Sequence, residues 1–292
     1  MNNQTYKKII YIAKPVEEFK EVYDDDYHNF YHKALPILKK YCGKEYVKSV
    51  EVEDIWVRDF FPIQNPHNKK LFTYNYDPLF DYEKNFDVYA KCRKDSRRLF
   101  KKAEDIGIWM DGGNFTSNGN IALCLDTKGT NIAAKRFALD KALGMKTVAL
   151  PYRLRVPEDD PTGHIDGSMQ FLGENTLLIA KPFDPFDSCE IIERKTWIDT
   201  INEVSGDSLE IAFLPNAWGE CDHEDDGSAR GIYVNFLETD TTVFVPQYNL
   251  PTDNDAIAVI AEHTEKNVIG IDCDKISKYG GSLHCLTADY KQ

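Results

Sequence analysis

The sequence lacks both long apolar runs and closely spaced cysteine pairs. No stretch approaches the roughly 18 consecutive apolar residues that a membrane-spanning helix needs, so we expect no membrane partner. The seven cysteines are odd in number, scattered, and never arranged as Cys-x-x-Cys, which argues against a disulfide framework and against a zinc ribbon. We therefore expect reduced thiols in a cytoplasmic protein.

Basic residues are also in the minority. The chain has 35 Lys and Arg against 48 Asp and Glu, and its net charge of −13 disfavours a nucleic-acid partner and favours a cationic one. A signal-peptide pattern is missing, because Met1–Thr5 leads at once into the short apolar run Ile9–Ala13 without a cleavage-like site. The oligomeric state stays open and includes a homo-oligomer.

Linkers are missing too. With 42% hydrophobic residues the 292-residue chain can bury a sizeable core, and no Ser/Pro-rich stretch or block of charge separates two halves. We therefore predict a single domain over residues 1–292. Turn-rich loops at 78–81, 157–161 and 182–185 are long enough to cover one mouth of a central site. The acidic run Glu220–Asp226 is most simply explained as a solvated loop, with cation binding as the alternative.

One pattern recurs five times: an apolar strand, a helix and a second apolar strand. The predicted units are Lys8–Ala13, Glu17–Tyr41 and Tyr46–Val52; Leu71–Tyr76, Ala90–Ala103 and Ile106–Met110; Ile121–Leu125, Ile132–Leu143 and Lys146–Leu150; Thr176–Ala180, Ile191–Val204 and Ser208–Leu214; Thr242–Val245, Asn254–Thr264 and Asn267–Ile271. These units predict an α/β fold.

Between the units lie short extended segments, at 56–63, 112–116, 163–171, 231–237 and 280–287. Each is apolar with a polar residue set into it, as expected of a strand that lines a shared central space. Five such strands around one axis predict a radial array with a central site.

The polar residues of these inner segments form a short set that could act together. They are Asp59, Asp111, Asn114, His164, Asp166, Asn235 and Cys285. On an extended chain, His164 and Asp166 at i and i+2 would point to the same face. A lone cysteine is more often a small buried hydrophobe, but the glycine pair before Cys285 and the His-x-Asp segment favour a nucleophile. For Asp59 alone, a salt bridge with the adjacent Arg58 is an alternative.

Several carboxylates around a thiol suggest a particular kind of substrate. A cationic, hydrogen-bonding group such as a guanidinium can be held by a carboxylate through two parallel bonds. Zinc binding is an alternative, although Cys285, His164 and Asp166 lack closely spaced ligand pairs. A cysteine protease is another, although it gives no reason for several central carboxylates. Asp111 before a glycine pair is also compatible with a turn.

Five ordered motifs carry a family resemblance. They are Trp56-Val57-Arg58-Asp59, Asp111-Gly112-Gly113-Asn114-Phe115, Gly163-His164-Ile165-Asp166-Gly167, Tyr233-Val234-Asn235-Phe236 and Gly280-Gly281-Ser282-Leu283-His284-Cys285-Leu286-Thr287. From about residue 50 to the end, the chain resembles agmatine deiminases and bacterial peptidylarginine deiminases of the guanidino-group modifying superfamily. The resemblance implies the pentein fold, a five-bladed pseudo-symmetric α/β propeller of ββαβ-type units. Asp111 and Ser282 depart from the Glu and Gly that are frequent in the family.

The resemblance also implies a hydrolase that acts on C–N bonds of linear amidines without a metal or other cofactor. Cys285 would attack the guanidinium carbon to form an amidino-cysteine intermediate, and His164 would protonate the departing ammonia and then deprotonate the attacking water. Asp59 and Asp166 would hold the guanidinium nitrogens. Further substrate-binding residues are expected at Asp111, Asn114, Trp56 and Asn235.

The substrate is thus expected to be a small guanidinium cation. The motifs and the net charge favour agmatine, hydrolysed to N-carbamoylputrescine and ammonia as in polyamine biosynthesis. Peptidyl-arginine and free arginine remain alternatives, because the stretch before His164 offers both Arg153 and Arg155 and the acids Glu158 to Asp160. An inactive pentein that only binds a ligand is a further alternative.

Overall fold

The computed structural model describes residues 7–76, 78, 86–127, 131–152, 163–206, 208–217 and 227–292. Its strands form five three-stranded sheets, which we call blades 1 to 5. In each blade the middle strand pairs antiparallel with an inner strand and parallel with an outer strand. A helical connection joins the two parallel strands, because parallel neighbours need a crossover.

The bounds of the elements follow the five predicted units closely. Blade 1 contains β1 (Lys8–Ala13), α1 (Lys20–Tyr23), α2 (Asp26–Cys42), β2 (Val47–Val50) and the last strand, β15 (Thr287–Lys291). Blade 2 follows the short helix α3 (Val57–Phe60) and contains β3 (Ile63–Gln64), β4 (Leu71–Asn75), α4 (Phe86–Leu99) and β5 (Glu104–Trp109). Blade 3 contains β6 (Thr116–Ser117), β7 (Ile121–Asp126), α5 (Ile132–Leu143) and β8 (Lys146–Pro151).

The remaining two blades have the same composition. Blade 4 contains β9 (Met169–Leu172), β10 (Thr176–Ala180), α6 (Ser188–Ser205) and β11 (Glu210–Leu214). Blade 5 contains β12 (Leu237–Glu238), β13 (Thr242–Gln247), α7 (Asp253–Glu262) and β14 (Asn267–Asp272). The predicted α/β class and the five repeated ββαβ-type units are confirmed.

Hydrogen bonds between neighbouring blades close the array into a ring. They join Gln64 Nε2 to Lys291 O (2.9 Å), Asn65 Nδ2 to Ala142 O (2.9 Å), Asn118 Nδ2 to Glu174 O (2.7 Å), Gly173 N to Glu238 Oε1 (3.0 Å) and Lys8 N to Asp240 Oδ2 (2.8 Å). The five inner strands β3, β6, β9, β12 and β15 line a cavity of about 530 Å³ at the centre. His284 and Arg58 also line this cavity, whereas Cys285, His164 and Asp166 do not.

Sequence patterning explains why the helices face the sheets. In α2 the buried residues fall on one helical stripe: Tyr27, Phe30, Tyr31, Ala34 and Leu38. The middle strand β7 is buried along almost its whole length, as a parallel strand covered on both faces should be. Helix α5 ends at Gly144, whose φ of 68° is the left-handed conformation that glycine adopts without strain.

The five inner segments differ from the prediction in one respect. Only their later parts are strands, and the polar residues lie just before them, on short helical turns or irregular backbone. Asp59 lies on α3, Asp166 on a 3-10 turn at Ile165–Gly167, and Cys285 in a turn that precedes β15. Because these segments turn tightly, their polar side chains can converge on one point. On straight strands the same side chains would be spread along the axis of the ring.

Several sequence predictions fall on residues outside the described ranges. They concern the loops at 79–81 and 157–161, Arg153 and Arg155, and the acidic run Glu220–Asp226. The six described cysteines, Cys42, Cys92, Cys124, Cys189, Cys273 and Cys285, are free. Among the described helices, none combines the length and apolar character that crossing a bilayer requires.

Candidate active site

Three buried side chains, from the segments that precede blades 2, 3 and 4, form the first half of the site. His164 Nε2 lies 3.1 Å from Asp111 Oδ2, and His164 Nδ1 lies 3.6 Å from Asp59 Oδ1. All three residues are at most 6% exposed. Asp59 Oδ1 also accepts a hydrogen bond from Gly113 N at 3.0 Å. The imidazole is therefore held between two carboxylates, which fixes its ring orientation.

Burial and the neighbouring carboxylates have opposite effects on the pKa of His164. Burial alone would lower the pKa of His164, but the carboxylates of Asp59 and Asp111 raise it to about 10. For Asp59, burial and the charges of Asp111 and Asp166 raise the pKa to about 7, although His164 opposes that rise. At neutral pH the histidine is thus a cation that can give up a proton.

One oxygen of Asp111 stands out. Asp111 Oδ1 is buried and has no hydrogen-bond partner among the residues that the structure describes, whereas Oδ2 contacts His164. An unsatisfied buried acceptor costs about 1–3 kcal/mol, so such atoms in folded proteins usually meet a ligand or water. Asp111 can therefore accept a hydrogen bond from a bound donor while still orienting His164.

The second half of the site surrounds the thiol of Cys285. Its Sγ accepts a hydrogen bond from Asn235 Nδ2 at 3.1 Å and donates one to Asp166 Oδ2 at 3.4 Å. Asp166 Oδ2 also lies 2.7 Å from His284 Nδ1. Asn235 Oδ1 accepts hydrogen bonds from the backbone nitrogens of His284 (2.9 Å) and Cys285 (3.3 Å). Asn235 thus holds both the sulfur and the turn that carries it.

The surroundings of Cys285 oppose the ionisation of its thiol. Burial and the negative charges of Asp166 and Asp59 raise the pKa of Cys285 well above its usual range, although the bond from Asn235 opposes the rise. Only the thiolate is a strong nucleophile. These surroundings therefore favour the protonated, less nucleophilic form of the Cys285 thiol.

The two halves meet through the segment 164–166. His164 contacts the two acids of the first half, and Asp166 contacts His284 and Cys285 in the second. The prediction that both point to one face of an extended strand is wrong, because Ile165–Gly167 is a 3-10 turn and not a strand. The turn sends the two side chains to different partners within one site.

The glycine pair of the second motif has a steric reason. A Cβ on Gly113 would lie 2.6 Å from both Asp59 Oδ1 and His164 Nδ1, and one on Gly112 would lie 2.0 Å from Arg58 O. Such contacts are far inside the ordinary van der Waals distance. Because Gly112 and Gly113 have no side chain, their backbone can approach Arg58, Asp59 and His164 this closely.

The contacts of Arg58 decide one sequence-based alternative. Arg58 does not pair with Asp59: its Nη2 lies 2.8 Å from Asp289 Oδ1 on β15, so the alternative of a local salt bridge between Arg58 and Asp59 is wrong. Within the described ranges, no group of three or more His, Cys, Asp or Glu side chains is arranged to hold a metal ion.

Two expected substrate contacts lie in unexpected surroundings. Asn114 Nδ2 donates to Leu125 O and Asn114 Oδ1 accepts from Leu125 N, both at 2.9 Å, so its amide is occupied by backbone. This arrangement favours a structural role over substrate binding. Trp56 packs against Gly281, where a Cβ would lie 2.5 Å from the indole, and makes an edge contact with Tyr23. Its ring thus supports the turn before Cys285.

The comparison with protein families identifies the chain. A profile of the Porphyromonas-type peptidyl-arginine deiminase family matches residues 2–290. The chain belongs to this family. Among similar proteins, the agmatine deiminase of Ectopseudomonas mendocina is 24% identical over 284 residues, which cover 82% of this chain and 76% of that protein. The agmatine deiminase of Pseudomonas aeruginosa strain LESB58 is 22% identical over 286 residues, which cover 84% of this deiminase-family chain and 76% of that protein.

Solved structures confirm the fold of this family member. A variant of the C. jejuni agmatine deiminase with substrate bound superposes with a TM-score of 0.79 at 16% identity, covering 100% of this chain and 96% of that one. DDAH from Pseudomonas aeruginosa, in complex with citrulline, superposes with a TM-score of 0.65 at 14% identity, covering 98% and 100%. The predicted pentein fold is confirmed.

Sequence reasoning missed the place of His284. His284 lies in the last of the five motifs, from which only Cys285 was predicted as a site residue, because a thiol is the rarer chemical group. A signal was present in the adjacent pair His284-Cys285, since two such side chains on one tight turn can reach a common partner. Here that partner is Asp166 Oδ2.

Proposed function

We propose that this family member is a hydrolase that deiminates agmatine to N-carbamoylputrescine and ammonia. The observation that carries the proposal is a free thiol, a histidine between two carboxylates, and a third carboxylate in contact with the thiol, all buried in one site. A guanidinium fits this acid-rich site, because its N–H groups can donate charge-assisted hydrogen bonds to carboxylate oxygens. The names of the similar agmatine deiminases support the choice of substrate.

In this proposal Asp59 and Asp166 hold the guanidinium nitrogens, and Asp111 Oδ1 accepts a further N–H. The substrate's positive charge lowers the pKa of Cys285, and the thiol releases its proton to solvent. The thiolate then attacks the guanidinium carbon, forming a C–S bond as the C–N π bond opens. Protonated His164 gives its proton to the departing nitrogen as the C–N bond breaks and ammonia leaves.

The second half-reaction uses the same histidine. His164, now neutral, takes a proton from a water molecule, whose oxygen attacks the amidino carbon. The C–S bond then breaks, its electrons return to sulfur, and the hydroxyl proton passes to the thiolate, leaving the neutral carbamoyl product and the free thiol. We propose Asn235 as the residue that positions the sulfur, and we treat residues 1–292 as one domain with no metal or other cofactor and a cytoplasmic location.

Deimination of peptidyl-arginine is the second candidate, because the matching family profile carries that description. The two substrates differ at the end away from the guanidinium: agmatine has an amine there, and a C-terminal arginine has a carboxylate. Arg58, a partly buried cation beside the site, is already paired with Asp289. That pairing favours a substrate without a carboxylate.

A colorimetric assay of carbamoyl products tests the proposal across agmatine, free arginine and a peptide with a C-terminal arginine. We expect the largest kcat/KM for agmatine. Cys285→Ala should lower kcat at least about a thousandfold, roughly 4 kcal/mol of barrier. Cys124→Ala, at a buried free cysteine on β7, is the matched control and should leave kcat near wild type. Full activity of Cys285→Ala would contradict the mechanism, and a preference for the peptide would reassign the substrate.

A further inference from the structure

One oxygen of Asp166 is shared by two neighbours on the same turn. Asp166 Oδ2 lies 2.7 Å from His284 Nδ1 and 3.4 Å from Cys285 Sγ. The carboxylate is only 1% exposed and the histidine 6%. No residue in the described part of the chain donates a hydrogen bond to the other oxygen, Oδ1. The carboxylate is thus engaged on one side only.

The histidine is held in place from its own backbone. His284 N donates to Asn235 Oδ1 at 2.9 Å, and His284 O accepts from Arg58 Nε at 3.4 Å. These bonds fix the backbone of the turn from which the ring reaches Asp166. A bond of 2.7 Å between a ring nitrogen and a carboxylate has the length of a strong, charge-assisted hydrogen bond.

The charged groups around His284 come from three elements. Asp166 lies on the 3-10 turn, Arg58 on α3 and Asp289 on β15. Arg58 and Asp289 form an ion pair of 2.8 Å with one another. Burial and the charge of Arg58 lower the pKa of His284, while Asp166 and Asp289 oppose this. The ring is therefore neutral near pH 7, and its Nδ1 carries the proton that points to Asp166.

We propose that His284 is a positioning residue for Asp166: its Nδ1–H bond to Oδ2 keeps this carboxylate ionised and leaves Oδ1 to the guanidinium. A neutral donor suits this role because it stabilises the anion without cancelling its charge. A cationic partner at the same place would compete with the substrate for the same carboxylate. The bond also occupies an oxygen that would otherwise bind the thiol proton more tightly.

Without the histidine, burial would act on Asp166 unopposed. Burial raises the pKa of Asp166, and the hydrogen bond from His284 is the leading opposing effect; together with the charge of His164 and the Cys285 thiol it holds the pKa below its ordinary value. Removing the donor should therefore shift this pKa upward. A protonated Asp166 would then present a neutral group to a cationic substrate, and binding would weaken.

Three substitutions separate the hydrogen bond from simple packing. In His284→Asn the side-chain amide nitrogen lies near the position of Nδ1, so the donor is kept. In His284→Gln the amide lies near the position of Nε2, and in His284→Leu the donor is removed. We expect His284→Asn to keep kcat/KM for agmatine within about tenfold of wild type, and the other two to lose about 10- to 100-fold, the usual range for a charge-assisted bond.

A substrate-free measurement makes the test independent of turnover. The inference rests on the proposed function only for the role of Oδ1, and ¹³C NMR titration of the aspartate carboxyls, with Asp166→Asn to assign the signal, reads the ionisation directly. We expect Asp166 to titrate below its ordinary range in wild type and in His284→Asn, and clearly above it in His284→Leu.

The outcomes separate the two claims. If wild type turns over no guanidinium substrate but the titration shifts as expected, the proposed function fails and the pairing of His284 with Asp166 stands. If the Asp166 titration is unchanged in His284→Leu, or if the Asn, Gln and Leu variants lose activity equally, the positioning role is refuted. A lower Tm alone, with normal titration and kinetics, would also refute it and leave a packing role.

Discussion

A substitution at Gly113 tests the half of the site that contains Asp59, Asp111 and His164, because a single methyl group there would clash with both Asp59 and His164. In Gly113→Ala the new Cβ would lie 2.6 Å from Asp59 Oδ1 and from His164 Nδ1, and ordinary contact begins at 3.4 Å. The two atoms must therefore retreat by about 0.8 Å. The alternative, a shift of the backbone, is limited by Gly112, which is packed against Arg58 O.

The expected loss follows from geometry. A misplacement of about 1 Å in a reacting group can cost roughly 10²-fold in rate, so we expect kcat for agmatine to fall by that order. Inserting a methyl group into a packed site also costs about 1–3 kcal/mol of stability, so Tm should fall by several degrees. The activity loss should persist at temperatures where the variant is fully folded.

Gly167→Ala is the matched control. Gly167 ends the 3-10 turn that carries Asp166, yet a Cβ there would meet nothing within 4 Å. Because alanine restricts the unfolded chain, this variant should be neutral or gain about 0.4–1 kcal/mol in stability and keep its activity. Steady-state kinetics and thermal melts on both variants decide. Normal kinetics in Gly113→Ala, or an equal loss in both variants, would refute the placement of Asp59 and His164 at the reacting centre.

Three further predictions follow from the contacts. First, kcat/KM for agmatine should rise with pH through about 7, because protonated Asp59 cannot hold the cation, and should fall as His164 loses its proton near 10. Asp59→Asn should remove the rise near pH 7. An unchanged rise in this variant would exclude Asp59 from the site. Second, iodoacetamide at pH 7 without substrate should alkylate the exposed Cys189 before the buried, protonated Cys285, as mass spectrometry can follow; the reverse order would mean a preformed thiolate. Third, Asn114→Ala should lower the free energy of unfolding by about 1–3 kcal/mol with little change in KM, whereas a raised KM at constant Tm would restore the substrate-binding role.

Periodicity in the sequence predicted the α/β class and the five repeated units of this protein. Apolar strands and helices alternate five times, and the helix predicted at Ile132–Leu143 has those bounds in the structure because the apolar positions and the terminal Gly144 are local signals. The residue types in the inner segments likewise indicated a thiol, a histidine and carboxylates at a common centre. These properties depend on side-chain chemistry and short-range spacing, which a sequence displays directly.

Only the tertiary structure decided which of those groups meet. Residues 164 and 166 are two apart in the chain but contact different partners, because a 3-10 turn replaces the expected strand. Arg58 pairs with Asp289, 231 residues away, and not with its neighbour Asp59, and Asn114 bonds to the backbone of Leu125. His284 contacts Asp166 across 118 residues. Such pairings arise from the closing of the ring and the direction of each tight turn, which local propensity does not encode.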